Sequence, residues 1–240
     1  MIGPILNALG ILLGALFGLA RRNPLSARSQ NSAKSALGAL TALCGLHLAW
    51  LHLGGGAFSV IKQLFIALLA MILGNLLGKL LGLQKLSNRV GRHASGLLAG
   101  AANQSGQKPK DGFLAATLLF CAAPLGFIGA VTDGLNGYFF PLALKALMDG
   151  LAMTSFIKMF RWPVALAALP VFLLLNSVAA GVRAFALPLL AAPALLNSVG
   201  ITAGLIICAM TLVILEVRRV ELANYLPALL FAPLLTRLLL

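Results

Sequence analysis

Acidic side chains are scarce: Asp111, Asp133, Asp149, Glu216 and Glu221 are the whole set in 240 residues. Histidine and cysteine are rarer still, at three each. General acid–base chemistry needs titratable groups held together. The three histidines are not placed near acidic residues in the chain, and no HExxH, GxSxG, GxGxxG or P-loop pattern occurs. No enzyme is expected, and no catalytic residue is assigned. Cys44, Cys121 and Cys208 all fall in apolar stretches without a CxxC pair. That spacing excludes a metal knuckle and a redox motif, so no metal and no cofactor are expected. Buried small hydrophobes are the reading for all three. Charge is thin throughout, at 10% of residues against about 25% in a soluble domain. With 60% hydrophobic residues spread along the whole length, 1–240 reads as a single integral membrane domain. The lipid bilayer is its first partner.

The apolar runs define the fold class, an all-α polytopic transmembrane bundle of about eight spans, since some twenty apolar residues cross a bilayer as helix. Span one is 3–20, where Gly10, Gly14 and Gly18 recur every fourth residue and form a smooth stripe for helix packing. Arg21 and Arg22 follow it, so it reads as a retained span and not as a removable signal. Pro24 breaks the linker after it. Span two is 35–53, with His47 and His52 read as interfacial. The short turn Gly54-Gly55-Gly56 leads to span three, 58–83, expected to pack antiparallel beside span two. A basic loop, 84–111, follows; 86–98 within it is expected to lie as a helix on the membrane surface, and the polar stretch from Asn103 to Gln107 is expected to be flexible. Spans four (112–131) and five form a hairpin about a turn, Thr132 to Gly137. Span six is 162–182. The apolar segment 184–196 carries Pro188 and Pro193 and reads as a buried linker or short broken piece. Spans seven (197–215) and eight (222–238) complete the set; a count of seven stays open.

A net charge of +13 would suggest nucleic acid, but its placement excludes it. The loops after spans one, three, five and seven hold 13 of the 18 Lys and Arg, and the opposite side holds Arg183 and Arg237. That is the positive-inside pattern, which makes 84–111 cytoplasmic and puts both termini on the other side. Trp50, Tyr138, Trp162 and Tyr225 fall at span ends, as an aromatic belt would.

Function points to the hairpin of spans four and five. Lys145 and Asp149 are four apart, on one face of a helix, close enough to pair. Ionisable groups inside a span are costly and face protein or a water-filled cavity. The pair could bind an ion or carry a proton; it could equally be a self-neutralising staple, or a lysine reaching for the interface. Asp133 reads as the mouth of a pathway or as an ordinary turn aspartate. Asn7 and Asn176 line a polar route or join helices by hydrogen bonds, as do Asn75 and Asn197. The leading expectation is a small secondary transporter or channel for an ion or small solute. The alternative is a scaffold or accessory subunit using the glycine stripes as partner surfaces, and a homo-oligomer stays open.

Two further patterns bear on this. Ser35-Ala36-Leu37-Gly38 is echoed by Asn197-Ser198-Val199-Gly200, and Leu6-Asn7-Ala8 by Leu175-Asn176-Ser177. Spans one to three and six to eight would then be inverted repeats, an arrangement used by transporters. Met1 to Ala8 (MIGPILNA), Leu119-Phe120-Cys121, Gly129, Asp133-Gly134, Lys145 with Asp149, and Leu226-Pro227-Ala228-Leu229 together resemble the YqgA/YdfK-like family of bacterial membrane proteins of unknown function. Asn176, where that family tends to carry Gln, and Pro124 in span four depart from its pattern. The resemblance implies a multi-pass bacterial inner-membrane protein and supplies no activity.

Overall fold

The computed structural model describes residues 1–21, 26–103 and 109–239, and every regular element among them is helical. Residues 22–25, with Pro24, residues 104–108, which hold most of the polar stretch, and Leu240 lie outside the described residues. In chain order the helices are α1 (Gly3–Ala20), α2 (Ala27–His52), α3 (Ala57–Leu80), α4 (Leu83–Asn103), α5 (Pro109–Ala122), α6 (Pro124–Asn136) and α7 (Phe140–Phe160). A 3-10 turn, Trp162–Ala167, opens α8 (Ala168–Gly181). A π turn, Val182–Ala186, joins α8 to the short α9 (Leu187–Leu189), and α10 (Pro193–Ile214) follows. A second 3-10 turn, Leu222–Tyr225, precedes α11 (Ala228–Leu239). Seven helical stretches are long and apolar enough to cross a membrane, and eight if the α5–α6 pair counts as one span.

Several boundaries differ from those read off the chain. Span four is not one rod: α5 and α6 meet at Ala123 with a bend of 57°. Pro124 causes this, having no N–H for the ladder and forcing the residue before it into an extended conformation. Conversely, the expected turn at Thr132 to Gly137 is helical as far as Asn136. Gly137, at φ 71°, closes the helix in the left-handed conformation and donates its N–H to the Asp133 carbonyl. The segment 184–196 is not a separate broken piece either. Helix runs from Trp162 to Leu189 as one 28-residue candidate span, and the π turn takes up the irregularity just before Pro188. The expected surface helix at 86–98 is part of the longer α4, which packs on α5.

Packing follows small residues. In lipid the hydrophobic effect does not drive helices together, so close approach of backbones decides who neighbours whom. A Cβ at Gly14 would lie 2.1 Å from the Gly150 carbonyl oxygen, and one at Gly10 2.5 Å from that of Ala146. The stripe on α1 is therefore taken up by α7 of the same chain. Gly45 and Gly204 do the same for α2 and α10, each meeting the other's carbonyl oxygen at 2.6 Å. Gly74 and Gly78 seat α3 on Ala228 and Asn224. Span three thus packs on α10 and α11, not along span two, because its glycine face matches α11.

These contacts have the form an inverted repeat would produce. Exchanging α1 with α8, α2 with α10, α3 with α11 and α5–α6 with α7 turns the α1–α7 contact into the α6–α8 contact, and α2–α7 into α6–α10. All four occur. The α2–α10 crossing sets a register three residues from that of the sequence echo, and the scheme fails at α3, which packs on α10 and not on α2, whereas its counterpart α11 does pack on α10. Two apolar cores result. One, around Ile11, Phe120, Met153 and Val171, joins α1, α5, α7 and α8. The other, around Leu48, Ile128, Ile206 and Leu229, joins α2, α6, α10 and α11.

Candidate functional site

The candidate site hangs from α7, the helix buried by neighbours on several sides. Lys145 is 1% exposed and Asp149 6% exposed. One helical turn separates them, and the ammonium donates to Asp149 Oδ2 as an ion pair. Asn7 completes the group. The glycine stripe that brings α1 onto α7 continues upward to Asn7, which is wholly buried and donates Nδ2–H to the same Oδ2 at 3.0 Å. Asn7 Oδ1 is also buried, and it has no hydrogen-bond partner. The Lys145 Nζ sits 5.7 Å from the centroid of the Phe120 ring, which offers its π face to the cation. Gly126 provides the room: a Cβ there would lie 2.7 Å from Lys145 Cε. The site is therefore enclosed by α1, α5, α6 and α7, beside the break that divides α5 from α6.

Asp133 does not join this group. It is 1% exposed on the last turn of α6 and accepts the Gly3 N–H at 3.2 Å. Helix α1 has no capping side chain of its own, so a carboxylate from another helix caps its positive end. The turn reading fails because the carboxylate is buried in a helix. Asn176 stays apart as well, half-buried on α8 without a hydrogen bond to the pair. Asn75 is half-buried with an unpartnered Oδ1 on α3, and Asn197 lies in a groove of about 250 Å³ with Gln63 and Thr236.

A second polar group went unread in the chain. His52, expected at an interface, is buried; its Nδ1–H donates to the Leu48 carbonyl at 2.9 Å, which leaves Nε2 to accept from Asn136 Nδ2 at 2.6 Å. Gly200 makes the niche, since a Cβ there would strike the imidazole at 2.4 Å. Tyr138, expected in the aromatic belt, is buried and donates its hydroxyl hydrogen to the Cys44 carbonyl at 3.0 Å, with His47 Nδ1 also 3.0 Å from the oxygen. Trp50 and Trp162, by contrast, are well exposed at span ends. At the basic end, the exposed pair Lys34–Glu216 ties α2 to the residues after α10, and the ammonium holds the Glu216 carboxyl below the usual carboxylate range.

Fold and site together define a polytopic helical membrane protein with a hydrogen-bonded ion pair enclosed in its bundle. The chain belongs to the family described as "Protein of unknown function (DUF554)", matched over residues 2–237. It is similar to the "Uncharacterized membrane protein YdfK" of Bacillus subtilis (strain 168), at 28% identity over 236 residues, covering 97% of this chain and 94% of the relative. It is also similar to the "Uncharacterized protein YqgA" of Escherichia coli (strain K12), at 29% identity over 239 residues, again covering 97% and 94%. No solved structure matches the chain.

Proposed function

We propose that this protein is a small secondary transporter or channel whose pathway runs through Lys145, Asp149 and Asn7. The observation that carries the reading is an acid and a base buried together inside a bundle of apolar helices. Such groups are expensive at membrane depth and mark ion or substrate routes more often than they mark simple joints. The bend at Ala123 beside them supports it, because broken helices frame binding sites in transporters. So do the contacts of α1 with α8 and of α2 with α10, the pairs that the sequence echoes would relate. No covalent chemistry is part of the proposal. In vesicles reconstituted with the protein, a solute or ion flux is expected that Lys145→Ala and Asp149→Asn both abolish while elution on gel filtration stays that of the wild type. Flux at wild-type rates in both variants would remove the pair from the pathway.

A scaffold or accessory role is the second reading, favoured by surface grooves that Lys145, Asp149 and Asn7 do not line, although the glycine stripes it would use are taken up inside the chain. Under it the same substitutions lower thermal stability and no flux is found.

The proposed setting is the bacterial inner membrane with both termini outside the cytoplasm, in line with the charge bias between the two sides. A C-terminal alkaline phosphatase fusion should then be active in cells, and a C-terminal green fluorescent protein fusion dark. A bright fluorescent fusion with an inactive phosphatase would invert the orientation.

A further inference from the structure

The contacts around Asp149 are lopsided, and the imbalance says what the site is made to hold. Both donors, Lys145 Nζ and Asn7 Nδ2, converge on Oδ2. Oδ1 takes none of the described hydrogen bonds, and the Asn7 Oδ1 buried alongside takes none either. The amide is oriented by its own bond, since turning it over would aim its oxygen at the carboxylate. One carboxylate oxygen and one amide oxygen, on two side chains joined by a hydrogen bond, thus take no described proton. Hard oxygen donors of this kind suit a hard metal cation rather than an anion or a thiophilic metal. A single carboxylate supplies a single negative charge, which matches a monovalent ion.

We propose that Asp149 and Asn7 form a binding site for a monovalent, sodium-like cation, in which the Lys145 ammonium acts as a tethered competitor. This rests on the transport reading above and names the ion class for it. Two positive charges are not balanced by one carboxylate among apolar helices, so the cation and the ammonium occupy it in turn. The lysine spends one of its three N–H donors on Asp149, with the Phe120 ring as its other described neighbour, so the carboxylate is what it and an incoming cation compete for. Removing the ammonium should therefore expose the site's own affinity for the ion.

The test is binding, read on the full-length protein in detergent with no transport assay. Thermal-unfolding midpoints are measured in rising NaCl, with choline chloride holding ionic strength constant. Lys145→Met is expected to gain a saturable stabilisation by sodium, with an apparent Kd at least tenfold lower than that of the wild type. Lys145→Met with Asp149→Asn should lose the response, and Lys145→Met with Asn7→Leu should weaken it about tenfold. Equal midpoints for Lys145→Met in the two salts, or stabilisation by low pH alone, would overturn the cation site. Should Lys145→Met not fold, sodium-23 line broadening by the wild-type protein, lost in Asp149→Asn, answers the same question. A flux without any sodium response rejects this proposal and keeps the pathway; sodium binding without a flux does the reverse.

Discussion

Asp149→Leu is expected to destabilise the protein by about 3–5 kcal/mol, the usual penalty for leaving one half of a buried ion pair alone. The lysine it strands has no second acidic side chain in reach among the described contacts, and its ammonium would be left with the Phe120 ring. Adding Lys145→Met should reverse most of that loss, because a pair replaced by apolar groups of similar volume is often neutral or stabilising. The comparison separates structure from function. If the pair is a joint, the double variant folds and behaves as wild type in every assay; if it is a pathway, the double variant folds and carries no flux. Unfolding in denaturant-supplemented detergent gives the stability side. A double variant as unstable as Asp149→Leu alone would show that the charge itself is not what the single substitution leaves exposed.

Gly14→Leu should be nearly as damaging. The Cβ alone would sit 2.1 Å from the Gly150 carbonyl oxygen and 2.6 Å from its Cα, and backbone cannot step aside as a side chain can. Helices α1 and α7 must separate, at the roughly 1–3 kcal/mol typical of overpacking or beyond it. The separation also pulls Asn7 from Asp149, whose 3.0 Å bond spans the same two helices. Gly91→Ala is the control, since nothing lies within 4 Å of a Cβ there and alanine favours helix. Fluorescence-detected gel filtration after a heat step should show Gly14→Leu lost many degrees below the wild type and Gly91→Ala unchanged. Similar behaviour of the two would mean the α1–α7 contact is looser than its geometry.

How far the chain could be read depends on the range of each interaction. Spans were legible because an apolar run of sufficient length has one outcome in lipid. The Lys145–Asp149 pair was legible because both partners lie one turn apart on the same helix. The α1 stripe was visible as a surface, but its partner was not, since any helix with a matching small residue could have met it. Asn7 reached Asp149 for that same reason, across the interface the stripe creates. Asp133 misled because Asp-Gly is turn chemistry locally, whereas its role is to cap a helix 130 positions away. The prolines divide: Pro124 interrupts span four as its type suggests and bends it sharply, while Pro188 follows a π turn within a helix that continues to Leu189. His52 found Asn136 and a glycine niche at Gly200, a meeting of three separate stretches that no local pattern announces.

The Gly45–Gly204 crossing has a mechanical side. Backbone approaches backbone there, with no room even for a methyl group, so α2 and α10 cannot draw closer at that point. The arms are unequal: from Gly45, α2 extends seven residues to His52 but eighteen back to Ala27. Both arms are also held: Lys34 pairs with Glu216 beyond one end of α10, and the His52 ring covers Gly200 near the other.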